Sequence, residues 1–162
     1  MNEPVVYRHV QEGKFVRAML VGLACLLLAI EIWLAFGAAR SADQRAAVAI
    51  LLVIVPLLIV VDALFSTLKI EVTEREVRWA FGVLSWPRGH IARTDLLPPT
   101  VEDPGFWNGI GIHLAWRGWL WNVAVGKAVA LHKRDGGSVM LGTDDPDGLL
   151  RALERQASEM RG

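Results

Sequence analysis

The sequence of 162 residues has a single cysteine, Cys25, which lies inside a long apolar run. One thiol cannot form a disulfide within the chain, and it cannot supply a Cys-x-x-C motif. A disulfide framework and a Cys-x-x-C metal or redox site are therefore both excluded.

Histidine is also scarce. The four histidines are scattered along the chain, and no two of them stand four residues apart. A helical H-x-x-x-H zinc pair is absent, and no metal or cofactor site is predicted. The chain also lacks the G-x-S-x-G motif of a nucleophilic serine. These absences predict a protein that is not an enzyme.

The chain has no excess of charge of either sign. It has 17 basic and 17 acidic residues; 5 of each lie at or before Leu68, which leaves 12 of each after it. A nucleic-acid-binding domain needs a basic excess, so nucleic acid is not a predicted partner. Hydrophobic residues, in contrast, make up 53% of the chain, and the mean hydropathy is +0.36. This composition points to a membrane.

Two apolar runs, at about residues 15–39 and 46–68, account for the excess. They have 25 and 23 residues, and a helix needs roughly 20 to cross about 30 Å of hydrocarbon. The sequence therefore predicts a transmembrane helical hairpin over residues 15–68, preceded by a cytoplasmic tail, residues 1–14. The link Arg40–Arg45 is short, so both ends of the chain are expected on the same side.

Basic residues near the helix ends predict which side that is. Only Arg40 and Arg45 lie in the link, whereas three basic residues precede the first run and three follow the second: Arg8, Lys14, Arg17, Lys69, Arg75 and Arg78. The positive-inside tendency then places both termini in the cytoplasm. A cleavable signal peptide is the alternative for the first run, because small residues surround Gly37 and Ala39.

Two carboxylates, Glu31 and Asp62, lie inside the runs and are candidate functional residues for that reason. In a hairpin that spans about 35 Å they are expected to differ in depth by roughly 10 Å, so they meet only if a helix is strongly tilted. One hypothesis is a transport or proton-relay role. The other is that each lies near an interface, is neutralised by protonation, or packs against a second copy.

Residues 69–162 have the pattern of a β domain. In "KIEVTEREVRWAF" apolar and polar residues alternate on both sides of a polar turn, which is typical of a β-hairpin. Further strands are expected at residues 83–88, 94–101, 111–116, 119–125, 128–133 and 138–141. Asp145 followed by Pro146 indicates the start of an amphipathic helix over about residues 146–160.

The stretch "GIGIHLAWRGWLWNVAVGKAVALHKRDGGSVMLGTDDPDGLLRAL" resembles small bacterial membrane proteins that have a PH-like domain after a pair of transmembrane helices. In that uncharacterised family, segments similar to "G-W-G-I-R", "G-W-L-Y-N-V" and "I-G-T-D-E-P" precede a terminal helix. The match covers about residues 68–156; Trp121 and Asp145 stand where tyrosine and glutamate are more usual. The resemblance implies an α+β membrane protein with a seven-stranded PH-like β-barrel or sandwich and a C-terminal capping helix. It implies no catalytic activity.

Three residues are candidates for an interaction surface. In "AWRGWLWNVAVG", Arg117 and Gly118 are expected to form a hairpin turn, followed by a strand with Trp119 and Trp121 on one face. Trp116 and Arg117 would then lie at the exposed tip, and Trp107 would lie in a glycine-rich loop. Phosphoinositide binding is not predicted, because Glu74 and Glu76 flank Arg75 in the first hairpin.

The sequence thus leaves three hypotheses about function. The first is an integral protein of the bacterial cytoplasmic (inner) membrane that presents a PH-like interaction or assembly module, with a protein partner or a homo-oligomer. The second is a membrane transport or proton-relay component that uses Glu31 and Asp62. The third is an enzyme that acts on lipid head groups.

Overall fold

A computed structural model gives an α+β fold and describes residues 3–36, 41–105, 109–115 and 118–159. Two long apolar helices lie near the N-terminus, and two β-sheets and a C-terminal helix follow. An apolar helical part and a β-rich part are therefore both present.

The two long helices are α1, Lys14–Phe36, and α2, Ala42–Phe65. Both are long and apolar enough to cross a membrane. Helix α2 begins four residues before the apolar run because Ser41 and Gln44 form a capping box that satisfies backbone N–H groups. It ends before Leu68, which is fully buried in the β domain rather than at a helix end.

A strand that the sequence analysis did not predict, β1, occupies Val5–Glu12 within the expected tail. It pairs antiparallel with β2, Thr67–Thr73, from Val5 opposite Thr73 to Glu12 opposite Thr67. The helical hairpin is thus inserted between two neighbouring strands of one sheet. The β domain consequently includes chain from both sides of the hairpin.

The first sheet has four strands in the order β1-β2-β3-β4, where β3 is Glu76–Phe81 and β4 is Arg88–Ala92. The prediction of a strand over residues 83–88 is wrong. Gly82 has a positive φ of 63°, and the N–H of Trp86 donates to the carbonyl oxygen of Phe81, which closes a turn instead. We call residues 82–87 the β3–β4 turn.

The second sheet has five strands in the order β5-β8-β9-β7-β6. All pairs are antiparallel except β7 with β9, which is parallel. The described residues contain nine strands rather than about seven. The remaining strand bounds are Thr100–Glu102 (β5), Gly111–Ala115 (β6), Gly118–Asn122 (β7), Ala128–His132 (β8) and Ser138–Gly142 (β9).

One main core joins both sheets to the C-terminal helix α3, Pro146–Glu159. Leu149 and Leu153 of α3 are buried in this core, and the Asp145 carboxylate accepts a hydrogen bond from the N–H of Gly148 at 2.9 Å. The predicted helix start is therefore present, with Asp145 as its cap. Arg93, which lies in a short 3-10 turn after β4, donates to the carbonyl oxygens of Leu153 at 2.6 Å and Thr73 at 3.2 Å.

A chain of aromatic rings runs from the end of α2 into this core. The rings of Phe65 and Phe81 have centroids 5.8 Å apart, and Trp121 lies 5.6 Å from Phe81 and 5.7 Å from Trp79. Trp79 also covers Gly89, its partner on β4, where a Cβ atom would lie 2.4 Å from the indole ring. The last residue of α2 therefore belongs to the packing of the β domain.

Candidate functional site

The junction between the helical hairpin and the β domain is short and tightly packed. Gly13 alone separates β1 from α1, Ser66 alone separates α2 from β2, and the Gly13 N–H donates to the Ser66 carbonyl oxygen at 2.8 Å. A Cβ atom on Gly13 would lie 2.7 Å from the carbonyl oxygen of Val123, which leaves no room for a side chain. The two helices therefore leave the β domain at the same place.

The surfaces of α1 and α2 are largely apolar and exposed, which an aqueous environment would penalise. Phe15 is exposed at the end of α1 beside the β domain, and Trp33 and Phe36 are exposed at the other end. Phe15 and Trp33 are 18 residues apart, or about 27 Å along a helix, close to the thickness of a hydrocarbon layer. Aromatic residues at this spacing match the two interfaces of a bilayer.

Asp62 lies one helical turn before the end of α2, on the side of the β domain. Its Oδ2 is 3.9 Å from Nε of Arg17 on α1, whereas its Oδ1 is buried and accepts no hydrogen bond from the described residues. Asp62 also lines a small apolar cleft of about 220 Å³ between the helices, beside Cys25. The aspartate is therefore paired across the hairpin near one end.

Glu31 is far from this pair. It lies 14 residues after Arg17 on α1, which corresponds to about 21 Å along the helix. The separation exceeds the depth difference of roughly 10 Å expected from the sequence, because each carboxylate lies closer to a helix end than Lys69 and Arg40 implied: Asp62 to the end of α2 and Glu31 to the end of α1. The structure does not bring the two candidate carboxylates together.

The β6–β7 hairpin carries an exposed apolar pair. Trp107, Trp116 and Arg117 lie outside the described residues. On either side of the tip, Leu114 of β6 stands directly opposite Trp119 of β7, and they are 71% and 51% exposed. Strand β6 is an edge strand, which has backbone groups free to pair with another chain.

The other residues of β7 are internal. Trp121 packs against the main core, and Leu120 is fully buried in a second small cluster on the opposite face. Asn122 is buried, and its amide bonds with the backbone of Gly109 and Gly111, each at 3.0 Å. The expected alternation is therefore present, but both faces of β7 are covered, because Trp121 packs against the main core and Leu120 lies in the second cluster. Trp119 at the start of β7 is exposed.

The outer face of the four-stranded sheet carries charges that are mostly paired. Glu71 on β2 contacts Arg8 at 2.7 Å and Lys69 at 2.9 Å. Burial alone would raise the pKa of Glu71, but hydrogen bonds from Lys69 and Arg8 and their charges outweigh it, so its pKa lies below the ordinary value. In the turn before β3, Arg75 pairs with Glu3 at 3.2 Å.

A second set of polar contacts ties β1 to the start of α3. The Tyr7 hydroxyl donates to a carboxylate oxygen of Asp145 at 3.1 Å, and His9 contacts Asp144. Burial, and then the hydrogen bond and charge of Asp145, raise the pKa of Tyr7 above its usual range. Asp145 is thus engaged by both the helix cap and Tyr7.

Sequence reasoning missed β1, the β3–β4 turn and Arg93. A signal for β1 was present, because the valines and the tyrosine of "VVYRHVQE" favour a strand. Apolar–polar alternation did not reveal it, because Tyr7, His9 and Gln11 face inward while Val6 and Val10 face outward. Arg93 had no sequence signal that distinguishes it from a surface arginine. Among the described residues, no three His, Cys, Asp or Glu side chains lie close enough together to hold a metal ion.

Comparison with known proteins gives no family for this chain: no family model matches it, and no curated protein matches it at a significant level.

Proposed function

We propose that this protein is an integral membrane protein that presents a PH-like interaction and assembly module at the cytoplasmic face of the bacterial inner membrane. One observation carries the proposal: the apolar helical hairpin is inserted between the paired strands β1 and β2. Because one residue joins each helix to its strand, the β domain is held directly against the membrane surface from which the helices emerge.

The same insertion argues against a cleavable signal peptide. Cleavage near Gly37 or Ala39 would remove β1 together with α1. It would also remove Tyr7, whose hydroxyl bonds with Asp145 at the start of α3. An edge of the four-stranded sheet would then be lost, so retention of α1 as a membrane helix is the better interpretation.

Two features support a PH-like domain. A four-stranded antiparallel sheet shares one core with a second sheet, and a C-terminal helix contributes Leu149 and Leu153 to that core. The nine strands and the parallel pair β7–β9 are departures from the expected seven antiparallel strands. They lie mainly in the second sheet and in the added strand β1.

The proposed surface for a protein partner or a second copy is the β6–β7 hairpin, with Leu114 and Trp119 at its described part. An exposed tryptophan beside a leucine on an edge strand combines a large apolar area with free backbone groups, as binding sites often do. Trp116 and Arg117 at the tip belong to the same proposed surface. The paired charges around Arg75 give no support to phosphoinositide binding.

Site-specific photocrosslinking in living bacteria tests this surface. A photoreactive residue at Leu114 should crosslink to one protein, either a partner or another copy of the chain. The control is Val101, which is exposed on β5, the other edge strand of the same sheet. Equal crosslinking from both positions, or none from Leu114, would contradict the proposed interaction surface.

Membrane topology is tested separately with a cysteine at Glu74, in the exposed turn between β2 and β3, in a Cys25→Ser background. A reagent that cannot cross membranes should label it only after the cytoplasm has been opened. If the reagent labels this cysteine in cells that have lost only their outer membrane, the β domain lies outside the cytoplasm and the proposed topology is wrong.

The relay hypothesis has less support. Asp62 is paired with Arg17, and Glu31 lies about 21 Å farther along α1. If Glu31→Gln and Asp62→Asn leave expression, assembly and cellular phenotype unchanged, the relay hypothesis fails. No observation favours the hypothesis of an enzyme that acts on lipid head groups.

A further inference from the structure

The β3–β4 turn carries three large apolar side chains that are mostly exposed. Val83, Leu84 and Trp86 are 79%, 72% and 61% exposed. Single exposed apolar residues are common, but three within four residues form a patch that marks a contact surface. The turn is also well ordered by its own hydrogen bonds, from Trp86 N–H to Phe81 and from Phe81 N–H to Pro87.

The β3–β4 turn contacts the end of helix α2. The Val83 N–H donates to the carbonyl oxygen of Ala63 at 2.9 Å, and Gly82 lies so close that a Cβ atom would be 2.3 Å from the same oxygen. Ala63 is in the last turn of α2. The β3–β4 turn is therefore fastened to the side of a membrane helix.

The depth of this contact follows from the length of the helix. Helix α2 has 24 residues, so it is about 36 Å long and exceeds a hydrocarbon core of about 30 Å. Its last turn, beside the β domain, then lies at the boundary between acyl chains and head groups. Because the β3–β4 turn is hydrogen-bonded to Ala63, its apolar side chains lie beside this end of α2.

Arg88 lies directly after the turn, at the end of the sheet beside the helices. It shares a row with Ala80 and Lys69, Glu71 lies in the next row on the same face, and Glu12 opposite Thr67 lies one row closer to the helices. Two residues along a strand place Glu71 about 7 Å farther from the membrane. Among the described residues, Arg88 has no ion pair or hydrogen bond through its side chain, which leaves it available to lipid phosphates.

We propose that the β3–β4 turn inserts Val83, Leu84 and Trp86 into the bilayer leaflet from which α2 emerges, with Arg88 at the level of the phosphates. This inference rests on the proposed function, because it requires that α2 spans the membrane. The turn would be a third membrane contact beside the two helices. It would prevent the β domain from tilting away from the bilayer.

The test uses the full chain with Cys25→Ser, reconstituted in vesicles of phosphatidylcholine and phosphatidylglycerol. A polarity-sensitive fluorophore is attached to Leu84→Cys, and two kinds of lipid serve as quenchers, one with a nitroxide near the head of the acyl chain and one with a nitroxide near its end. The distal control is Glu74→Cys in the β2–β3 turn, and the membrane control is Val53→Cys, which is exposed midway along α2. A fluorophore at Leu84 should emit at shorter wavelength than one at Glu74 and lose most of its emission to these lipids.

Each failure has a separate signature. If nitroxide lipids quench Val53 but leave Leu84 as bright as Glu74, the helices span the membrane and the proposed insertion is wrong. If Leu84 is protected from aqueous iodide yet is not quenched by lipid, a second copy covers the turn and the lipid assignment is overturned. If Val53 is not quenched either, the proposed membrane protein itself is wrong.

Discussion

Arg93 shows how one buried charge can hold two parts of a fold together. Its guanidinium donates to carbonyl oxygens of Thr73 on β2 and of Ala152 and Leu153 on α3. Burial lowers the pKa of Arg93, yet the arginine pKa is so far above neutral that the group remains charged. The residue therefore acts as a charged link between the first sheet and the C-terminal helix.

Replacement of Arg93 with methionine should lower the free energy of unfolding of the β domain by about 2–4 kcal/mol, because it leaves buried carbonyl oxygens without a donor. Denaturant unfolding of the full chain in detergent measures the change. The matched control is Arg88→Met on the exposed face, which should change stability by less than about 0.5 kcal/mol. Similar losses in both variants would contradict the link.

Gly82 offers a second prediction about a single residue. Its φ is +63°, and a Cβ atom would collide with the carbonyl oxygens of Ala63 and Leu64. Gly82→Ala should destabilise the junction by about 1–3 kcal/mol. Gly105 has a φ of +75° but nothing within 4 Å of its Cβ position, so Gly105→Ala carries the backbone penalty without the collision. Equal effects of the two substitutions on unfolding would show that contact with α2 is unimportant.

At the scale of elements, strand β1 is the part that completes the first sheet. It covers one edge of β2, and its polar residues Arg8 and Tyr7 reach Glu71 on one side and Asp145 on the other. Since β1 precedes the helical hairpin, the sheet forms only when residues more than 50 positions apart meet. Pairing β1 with β2 therefore costs chain entropy, because it closes a long loop. The helical hairpin lowers this cost, because it brings the two ends of the loop together.

The charged cluster that joins β1 to β2 should make stability depend on pH. The pKa of Glu71 is lower in the folded chain, so its contribution is fully present above the ordinary glutamate pKa of about 4.3 and is lost as the pH falls below it. Glu71→Gln should remove this part of the acid sensitivity. Unfolding measured from neutral pH down to acid checks it, with Glu74→Gln as the control. An unchanged acid profile in Glu71→Gln would contradict the role of the cluster.

At the scale of the whole molecule, the helical hairpin is an insertion in a β domain rather than an anchor in front of one. Helix α1 begins two residues after Glu12, and helix α2 ends two residues before Thr67, the residue that pairs with Glu12. The domain therefore cannot be separated from the helical hairpin by a single cut that leaves its first sheet complete. This arrangement constrains the orientation of the domain more strongly than a flexible linker would.

Two shortened chains test this organisation. A chain that starts at Thr67 should aggregate or remain unfolded, because β2 loses its partner and exposes an edge. A chain in which Asn-Gly replaces residues 13–66, so that Glu12 is followed by a tight turn to Thr67, should fold in water because its strands are already antiparallel. Circular dichroism and size-exclusion chromatography compare the two. Folding of the first chain as well as the second would show that β1 is dispensable.

The sequence by itself determined the elements whose cause is local. Apolar length predicted two membrane helices, Asp145 and Pro146 predicted the start of α3, and alternation predicted most strands after Leu68. These signals depend on hydrophobic spacing and backbone capping, which a short window of residues contains. The candidate residues Glu31 and Asp62 were also visible, because a carboxylate in an apolar run stands out.

Only the tertiary structure decided how these elements meet. The pairing of β1 with β2 across the hairpin, the burial of Arg93 beneath α3, and the fastening of the β3–β4 turn to Ala63 each join distant parts of the chain. The turn was predicted as a strand, bounded by Gly82 and Pro87, whereas its apolar side chains are exposed beside the end of α2. Local sequence shows which side chains are apolar, but the three-dimensional arrangement decides which of them are buried in the protein and which stay exposed.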